Sequence, residues 1–167
     1  MTEQDYERLT RAFRDAPNAV LWLQFANKAL TVVGYVAYPL LLALVLGAGE
    51  WMDLVKFIAV PALGFVVLSV FRSWYSAPRP YEVLAIDPLI AKDTVGKSFP
   101  SRHTFSLMMI ACSWCVWNAW VGAVLVVCSC VFGLIRVVGG VHFPRDVIAG
   151  AAFAVLWAVI GYGLIPW

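Results

Sequence analysis

The sequence predicts an all-α protein, a polytopic membrane helix bundle, and three observations support this fold class. Hydrophobic residues make up 62% of the 167 residues, charged residues make up 13%, and the mean hydropathy is +0.83. A soluble domain is about 45–50% apolar and about 25% charged, so this composition excludes a soluble globule. The apolar residues form stretches close to the roughly 20 residues that a helix needs to cross a bilayer. Charged residues gather between these stretches, mostly on one predicted side of the membrane.

Five apolar stretches are long enough to be predicted as transmembrane helices. They run approximately over Ala29–Leu46, Leu54–Phe71, Thr104–Trp120, Val121–Val138 and Val147–Ile165. A tight turn near Asn118–Gly122 separates the third helix from the fourth. We expect these helices to form a transmembrane bundle over residues 29–165, within one membrane-embedded domain that covers 1–167.

Residues 1–25 predict an amphipathic helix before the first crossing. Apolar side chains recur there at spacings of three and four, at Tyr6, Leu9, Phe13 and Ala16. This period places them on one helix face, with charged residues on the other. Thr2 is the expected N-cap, and Pro17 is expected to end or kink the helix. Beside membrane spans such a helix is expected to lie flat in the interface, and packing against a soluble partner is the alternative.

Counting crossings from the N-terminus places three hydrophilic segments on one side of the membrane, here called the basic face. These segments are Met1–Lys28, Arg72–His103 and Arg136–Asp146. They contain every lysine and arginine of the chain except Lys56. The positive-inside rule makes this face cytoplasmic. Several of its arginines are expected to serve chemistry, yet the N-terminal cations together with Lys92 and Lys97 favour the same orientation.

Three groups of polar residues converge on the basic face through topology alone. The groups are Arg72-x6-Arg79-Pro80, Pro100-Ser101-Arg102-His103 and Arg136-x5-His142-x3-Asp146. Polar residues beside a membrane are costly and therefore often functional. Read singly, each could be a helix-end or interface residue, and Arg145 is interpreted as a positive-inside charge. The joint spacing favours one common site.

The residue types in these groups suit phosphate chemistry. Arginine guanidinium groups bind phosphate oxygens with planar, bidentate geometry. Ser101 lies where a helix is expected to begin, and free backbone N–H groups favour an anion there. The chain has only two histidines, and both belong to these groups. One histidine could attack phosphorus while the other protonates the leaving oxygen, and Asp146 could hold the ring of His142 in one tautomer.

In order, side and spacing, these groups resemble the signature motifs K-x6-R-P, P-S-G-H and S-R-x5-H-x3-D of the type 2 phosphatidic acid phosphatase superfamily. The resemblance covers Arg72–Asp146 directly and the flanking helices by architecture. It implies a small bacterial-type membrane lipid phosphatase, an integral protein of the cell membrane. It also implies that His142 is the nucleophile and forms a phosphohistidine, that Asp146 orients it, and that His103 is the general acid.

The resemblance also implies the phosphate-binding residues, and this chain departs from the family at three positions. The implied phosphate ligands are Arg72, Arg79, Ser101 and Arg136. Arg72 replaces the usual lysine, and Ile135 replaces the usual serine. Arg102 replaces the usual glycine and is expected to contact either a second phosphate or lipid head groups. Neither a metal ion nor a cofactor is implied, because arginines take the role that magnesium has elsewhere. The family usually has six crossings, whereas five are predicted here.

The expected reaction is hydrolysis of a lipid phosphomonoester or diphosphate. Candidate substrates are polyprenyl phosphate or diphosphate, phosphatidic acid and phosphatidylglycerol phosphate. A phosphotransferase that uses the same site is the alternative. A non-catalytic protein that binds anionic lipid would need the arginines but would not need the His142–Asp146 pair. We expect a lipid phosphate partner and no nucleic-acid partner, and the sequence leaves the oligomeric state open.

Overall fold

The computed structural model describes residues 1–92 and 94–165, and the regular elements in these ranges are all helices. This confirms the all-α membrane fold class. The helices are α1 Glu3–Asp15, α2 Ala19–Gly47, α3 Trp51–Tyr75, α4 Pro80–Val83, α5 Arg102–Trp117, α6 Ala119–Val138 and α7 Pro144–Ala158, which continues as a π-helix over Val159–Leu164.

Four helical segments of the described chain are long and apolar enough to cross a membrane. They are Ala19–Gly47, Trp51–Val83, Ala119–Val138 and Pro144–Gly163. The third predicted crossing corresponds to α5, which has 16 residues. At about 1.5 Å per residue this helix is about 24 Å long, shorter than the roughly 30 Å hydrocarbon core. It ends early because Asn118 leaves the helix and caps α6 instead, accepting a hydrogen bond from the Val121 N–H at 3.1 Å.

The N-terminal boundary differs from the prediction. α1 ends at Asp15, Asn18 adopts a left-handed conformation with φ 64°, and α2 already begins at Ala19 instead of near Ala29. The sequence predicts the later start because Gln24, Asn27 and Lys28 are polar and interrupt the apolar stretch. The α-helix continues through them because its length is not limited to the apolar stretch.

The amphipathic α1 packs on its own chain. The predicted cap is present, since Thr2 Oγ1 accepts from the Asp5 N–H at 3.2 Å and Asp5 Oδ2 accepts from the Thr2 N–H at 2.8 Å. Tyr6 is buried, and its hydroxyl oxygen accepts from the Leu89 N–H at 3.3 Å. Arg14 pairs with Asp87 at 3.2 Å. The partner of the apolar face is therefore the segment after α4, and the placement of α1 in the membrane interface remains a prediction.

α5 lies at the centre of the bundle, between α6 and α7. Phe105 and Met109 of α5 and Ala154 of α7 share one buried core cluster. α5 and α7 approach closely at Gly150, where an added Cβ would lie 2.6 Å from the Ser101 carbonyl oxygen. The Ser101 N–H also donates to the Asp146 carbonyl oxygen at 2.8 Å. These contacts join the beginnings of α5 and α7, which carry two of the three polar groups.

Candidate active site

His142 lies in the turn between α6 and α7, and its ring is held from one side. Gly140, with φ +75°, makes the tight turn that brings the chain back toward α7. His142 is 1% exposed, and its Nδ1 lies 3.4 Å from Asp146 Oδ2 and 3.2 Å from Ser98 Oγ. With Nδ1 engaged, Nε2 is the ring nitrogen left for chemistry.

Asp146 is fixed at the first turn of α7. Its Oδ2 accepts from Ser98 Oγ at 2.5 Å and from the Phe143 N–H at 3.0 Å. A carboxylate is stabilised at this end of a helix by the backbone dipoles. Because Ser98 donates its hydroxyl proton to Asp146, its oxygen is free to accept one from His142 Nδ1. The arrangement favours the tautomer of His142 with the proton on Nδ1 and the lone pair on Nε2.

The protonation state of His142 suits a nucleophile. Burial lowers the pKa of His142 to about 4; the hydrogen bond with Asp146 opposes this effect, and the positive charges of Arg136 and Arg79 add to it. A histidine with a lowered pKa stays neutral until the pH falls to that value. At neutral pH the ring therefore keeps the lone pair that an attack on phosphorus requires.

Arg136, in the last turn of α6, is a buried cation with unused donors. It is 3% exposed, and its Nη1 donates to Asn27 Oδ1 of α2 at 3.1 Å. Its Nε and Nη2 are buried without a hydrogen-bond partner in the described part of the chain. Charged donors that are buried without a partner cost free energy, so we expect an anion to bind at this position.

Arg72 and Arg79 are also buried, but they donate to the backbone. Arg72 Nη1 donates to the carbonyl oxygens of Ser98, at 3.1 Å, and of Pro100, and its Nη2 donates to that of Lys97. Arg79 Nε donates to the Gly96 carbonyl oxygen at 3.2 Å and its Nη1 to that of Val141 at 3.0 Å. These two arginines therefore hold the segment 96–100 and the turn before His142 in place.

Ser101 caps the helix on which His103 lies. It is fully buried, and its Oγ accepts from the Thr104 N–H at 3.5 Å and from Thr104 Oγ1 at 3.2 Å. These contacts explain why α5 begins here. They make Ser101 the N-cap of α5, which carries Arg102 and His103 in its first turn.

His103 and Arg102 line a cavity of about 490 Å³ between α2, α3 and α5. His103 is partly buried, and its ring meets Phe132 of α6 edge-on with 5.8 Å between centroids. Arg102 is exposed, and its guanidinium lies 6.0 Å from the centroid of the Phe65 ring. His103 therefore faces α6, the helix whose last turn carries Arg136.

A comparison of the sequence with known protein families identifies the family of this chain. Residues 53–167, more than half of the chain, match the PAP2 superfamily. The chain belongs to this superfamily. The three polar groups between Arg72 and Asp146 lie within the matched range.

Similar proteins agree with the family and the fold. A bacitracin transport permease protein, BcrC, from Bacillus licheniformis is 28% identical over 112 residues, which are 67% of this chain and 53% of that protein. The match thus spans about half the length of that relative. The crystal structure of Aquifex aeolicus LpxE has a TM-score of 0.74 at 24% identity and covers 96% of this chain and 94% of LpxE. A Bacillus subtilis transmembrane PAP2 type phosphatidylglycerolphosphate phosphatase has a TM-score of 0.68 at 22% identity, covering 97% and 85%.

Two residues of the site were not predicted from the sequence. Ser98 contacts both His142 and Asp146, yet a serine in a polar loop carries no periodic or spacing signal. Asn27 holds Arg136, and an amide within an otherwise apolar helix is a signal that could have found it.

Proposed function

We propose that this PAP2 protein hydrolyses lipid phosphates through a phosphohistidine at His142. The observation that carries the proposal is a buried His142, held at Nδ1 by Asp146 and Ser98, beside a buried Arg136 with two nitrogens that have no hydrogen-bond partner in the described part of the chain. An anion-binding protein would need the arginine alone. The oriented imidazole adds a nucleophile next to the anion site.

In the first step His142 Nε2 forms a bond to phosphorus while the bond between phosphorus and the leaving oxygen breaks. The electron pair of that bond goes to the leaving oxygen, and His103 supplies its proton. In the second step water attacks the phosphohistidine, and His103 takes a proton from it. The second step releases inorganic phosphate and returns His142 to its neutral form.

The three arginines have different roles in stabilising the negative charge of the phosphate. Arg136 Nε and Nη2 would donate to the phosphate oxygens, together with N–H groups of the first turn of α5. Arg79 lies beside His142 through its contact with Val141 and adds positive potential. Arg72 acts mainly by holding the carbonyl groups of residues 97–100, so we assign it a positioning role more than direct phosphate binding.

The cavity at His103 suits the tail of a lipid. Its lining is largely apolar and includes Leu30, Leu107 and Phe132. Tyr35 also lines it and is 76% exposed on the outer surface of α2, so the cavity opens toward the surroundings of the bundle. A tail could therefore enter sideways from the bilayer while its phosphate reaches the basic face, which we infer to be cytoplasmic from the positive-inside rule.

The test is phosphate release in detergent with a chelator present. The panel contains phosphatidic acid, phosphatidylglycerol phosphate, polyprenyl monophosphate and polyprenyl diphosphate. We expect release from at least one lipid, and a loss of at least about 10³-fold in His142→Ala because the nucleophile is gone. Lys28→Gln, an exposed change on the basic face, is the control and should keep wild-type activity.

The intermediate itself can be trapped. After a rapid quench in alkali, labelled substrate should leave acid-labile label on the wild-type chain and none on His142→Ala. Release that persists in His142→Ala would contradict the phosphohistidine route. Label on the protein with turnover only after acceptor lipids are added would indicate a phosphotransferase instead.

A further inference from the structure

Two consecutive glycines begin the turn that carries His142, here called the glycine turn (residues 139–142). Gly139 and Gly140 have no side chains to restrict their backbone, and glycine loses more conformational freedom on folding than any other residue. The turn is tied to the end of α6, because the N–H groups of Val141 and His142 donate to the Arg136 carbonyl oxygen at 3.2 and 3.3 Å. The position of His142 then also depends on what packs against the two glycines.

Tyr6 of α1 packs directly on Gly140. A Cβ atom added to Gly140 would lie 2.7 Å from the Tyr6 hydroxyl oxygen and 3.0 Å from Cζ of the same ring, so this ring lies against bare backbone. The segment after α4 covers the neighbouring glycine, since a Cβ atom added to Gly139 would overlap Ile90 Cδ1. The Ile90 N–H also donates to the Gly139 carbonyl oxygen at 3.2 Å. Both glycines therefore lack a side chain where another part of the chain occupies its place.

Tyr6 also joins α1 to the segment after α4. Its hydroxyl oxygen accepts from the Leu89 N–H at 3.3 Å, and the hydroxyl donates to the Asp87 carbonyl oxygen at 3.4 Å. α1 contacts the same segment through Glu3, whose Oε1 accepts from the Ala85 N–H at 2.8 Å. The Tyr6 side chain is 1% exposed. It is thus enclosed where α1, the segment after α4 and the glycine turn meet.

We propose that Tyr6 is a positioning residue for His142. It holds the glycine turn so that the imidazole stays on Asp146 and Ser98 and presents Nε2 to phosphorus. The inference rests on the proposed function, because it concerns the nucleophile of that reaction. α1 lies outside residues 53–167, the range that matches the PAP2 superfamily, so the family match assigns no role to it.

A small shift of the glycine turn would have a large effect on the attack. A misplacement of about 1 Å can cost about 10²-fold in rate. The contacts of His142 Nδ1, at 3.2 Å to Ser98 Oγ and 3.4 Å to Asp146 Oδ2, are long for hydrogen bonds, so a shift would break them. Substrate binding depends less on the turn, because Arg136 belongs to α6 and the cavity is lined by helices. Loss of Tyr6 should therefore lower kcat more than it raises KM.

The test measures kcat and KM of the purified protein in detergent, with the lipid of the panel above that wild type hydrolyses fastest. Tyr6→Ala should lower kcat by about 10–100-fold and leave KM within about threefold. Tyr6→Phe keeps the ring on Gly140 but leaves the Leu89 N–H without its acceptor, so kcat should fall less, by about 3–10-fold. Leu9→Ala, which removes an exposed apolar side chain from the same helix, is the matched control and should keep the kcat of wild type.

Phe57→Leu separates a loss of position from a loss of stability. Phe57 is buried near the start of α3, about 22 Å along that helix from Arg72 at about 1.5 Å per residue. This variant should lower the unfolding temperature, as Tyr6→Ala does, yet keep the kcat of wild type. A kcat within about twofold of wild type in folded Tyr6→Ala, or an equal fall of kcat in Phe57→Leu, would overturn the positioning role. If Tyr6→Ala does not fold, the same criterion applies to Tyr6→Phe.

Failure of the proposed function can be distinguished from failure of the positioning role. If wild type releases no phosphate from any lipid of the panel, ¹⁵N-histidine NMR of the substrate-free protein at neutral pH still tests Tyr6. Wild type and Leu9→Ala should show one tautomer of His142, with the proton on Nδ1. Tyr6→Ala should show ¹⁵N shifts averaged between both tautomers, because the ring leaves its partners. An unchanged Nδ1–H tautomer in Tyr6→Ala would reject the role.

Discussion

Arg72 and Arg136 are both buried arginines of the site, with 3% of each side chain exposed, yet their surroundings are opposite. Arg72 has its guanidinium nitrogens on backbone carbonyls of residues 97–100. Arg136 has one contact, with Asn27, and two buried nitrogens without a partner. We therefore expect Arg72 to position the backbone of residues 97–100, and we expect Arg136 to bind an anion with its unpaired nitrogens.

A sequence motif therefore predicts which residue type occupies a position, but it does not predict which contacts that residue makes. Both arginines occupy motif positions that imply a phosphate ligand. The two arginines differ because carbonyl oxygens of the segment 96–100 accept hydrogen bonds from Arg72, whereas Arg136 donates to Asn27 instead. Replacing each arginine with methionine, which keeps the length and removes the charge, separates stability from catalysis.

Of the two arginine variants, Arg136→Met should have the larger effect on activity. Loss of the open donors should lower kcat/KM by about 10²–10³-fold, as for removal of a donor that stabilises a charged transition state. The unfolding temperature in detergent should not fall, because a buried, partly unpaired cation is replaced by an apolar side chain. Steady-state phosphate release and thermal unfolding measure the two quantities. Wild-type activity, or unfolding far below that of wild type, would contradict the assignment of Arg136 to the phosphate.

Arg72→Met should act mainly on stability. The carbonyl oxygens of Lys97, Ser98 and Pro100 would lose their buried donors, at a cost of about 2–4 kcal/mol. That cost corresponds to a fall of about 5–10 °C in the unfolding temperature for a chain of this size. Arg72→Lys, which restores the usual family residue, is the matched variant and should lose less. If Arg72→Met unfolds like wild type while its KM rises steeply, Arg72 binds phosphate directly and the contrast with Arg136 fails.

Much of this architecture could be predicted from the sequence, because helix spans and motif order follow from local patterns. The apolar stretches predicted the helices, and the crossings placed His103, His142 and Asp146 on one face. The early start of α2 could not be predicted, since hydropathy does not measure how far a helix extends past the bilayer. The short α5 could not be predicted either, since hydropathy does not show that Asn118 ends this helix and caps α6. The contacts of Ser98 depend on how the segment after α4 folds back, and that segment has no periodic signal.

The smallest predicted effect is a change in the pKa of His142, and this change compares Arg136 with Arg72 most directly. Since its pKa is lowered to about 4, the ring should stay neutral as the pH falls from 7 to 5. The charge of Arg136 contributes to this lowering, whereas that of Arg72 is not among its main causes. Arg136→Met should therefore raise the pKa of His142, and Arg72→Met should leave it nearly unchanged. With only two histidines in the chain, ¹⁵N-histidine NMR can follow the ring directly, and His103→Asn assigns the signals. A midpoint above 6 in wild type would contradict the lowered pKa of His142, and equal shifts in the two variants would show that the two arginines act on His142 alike.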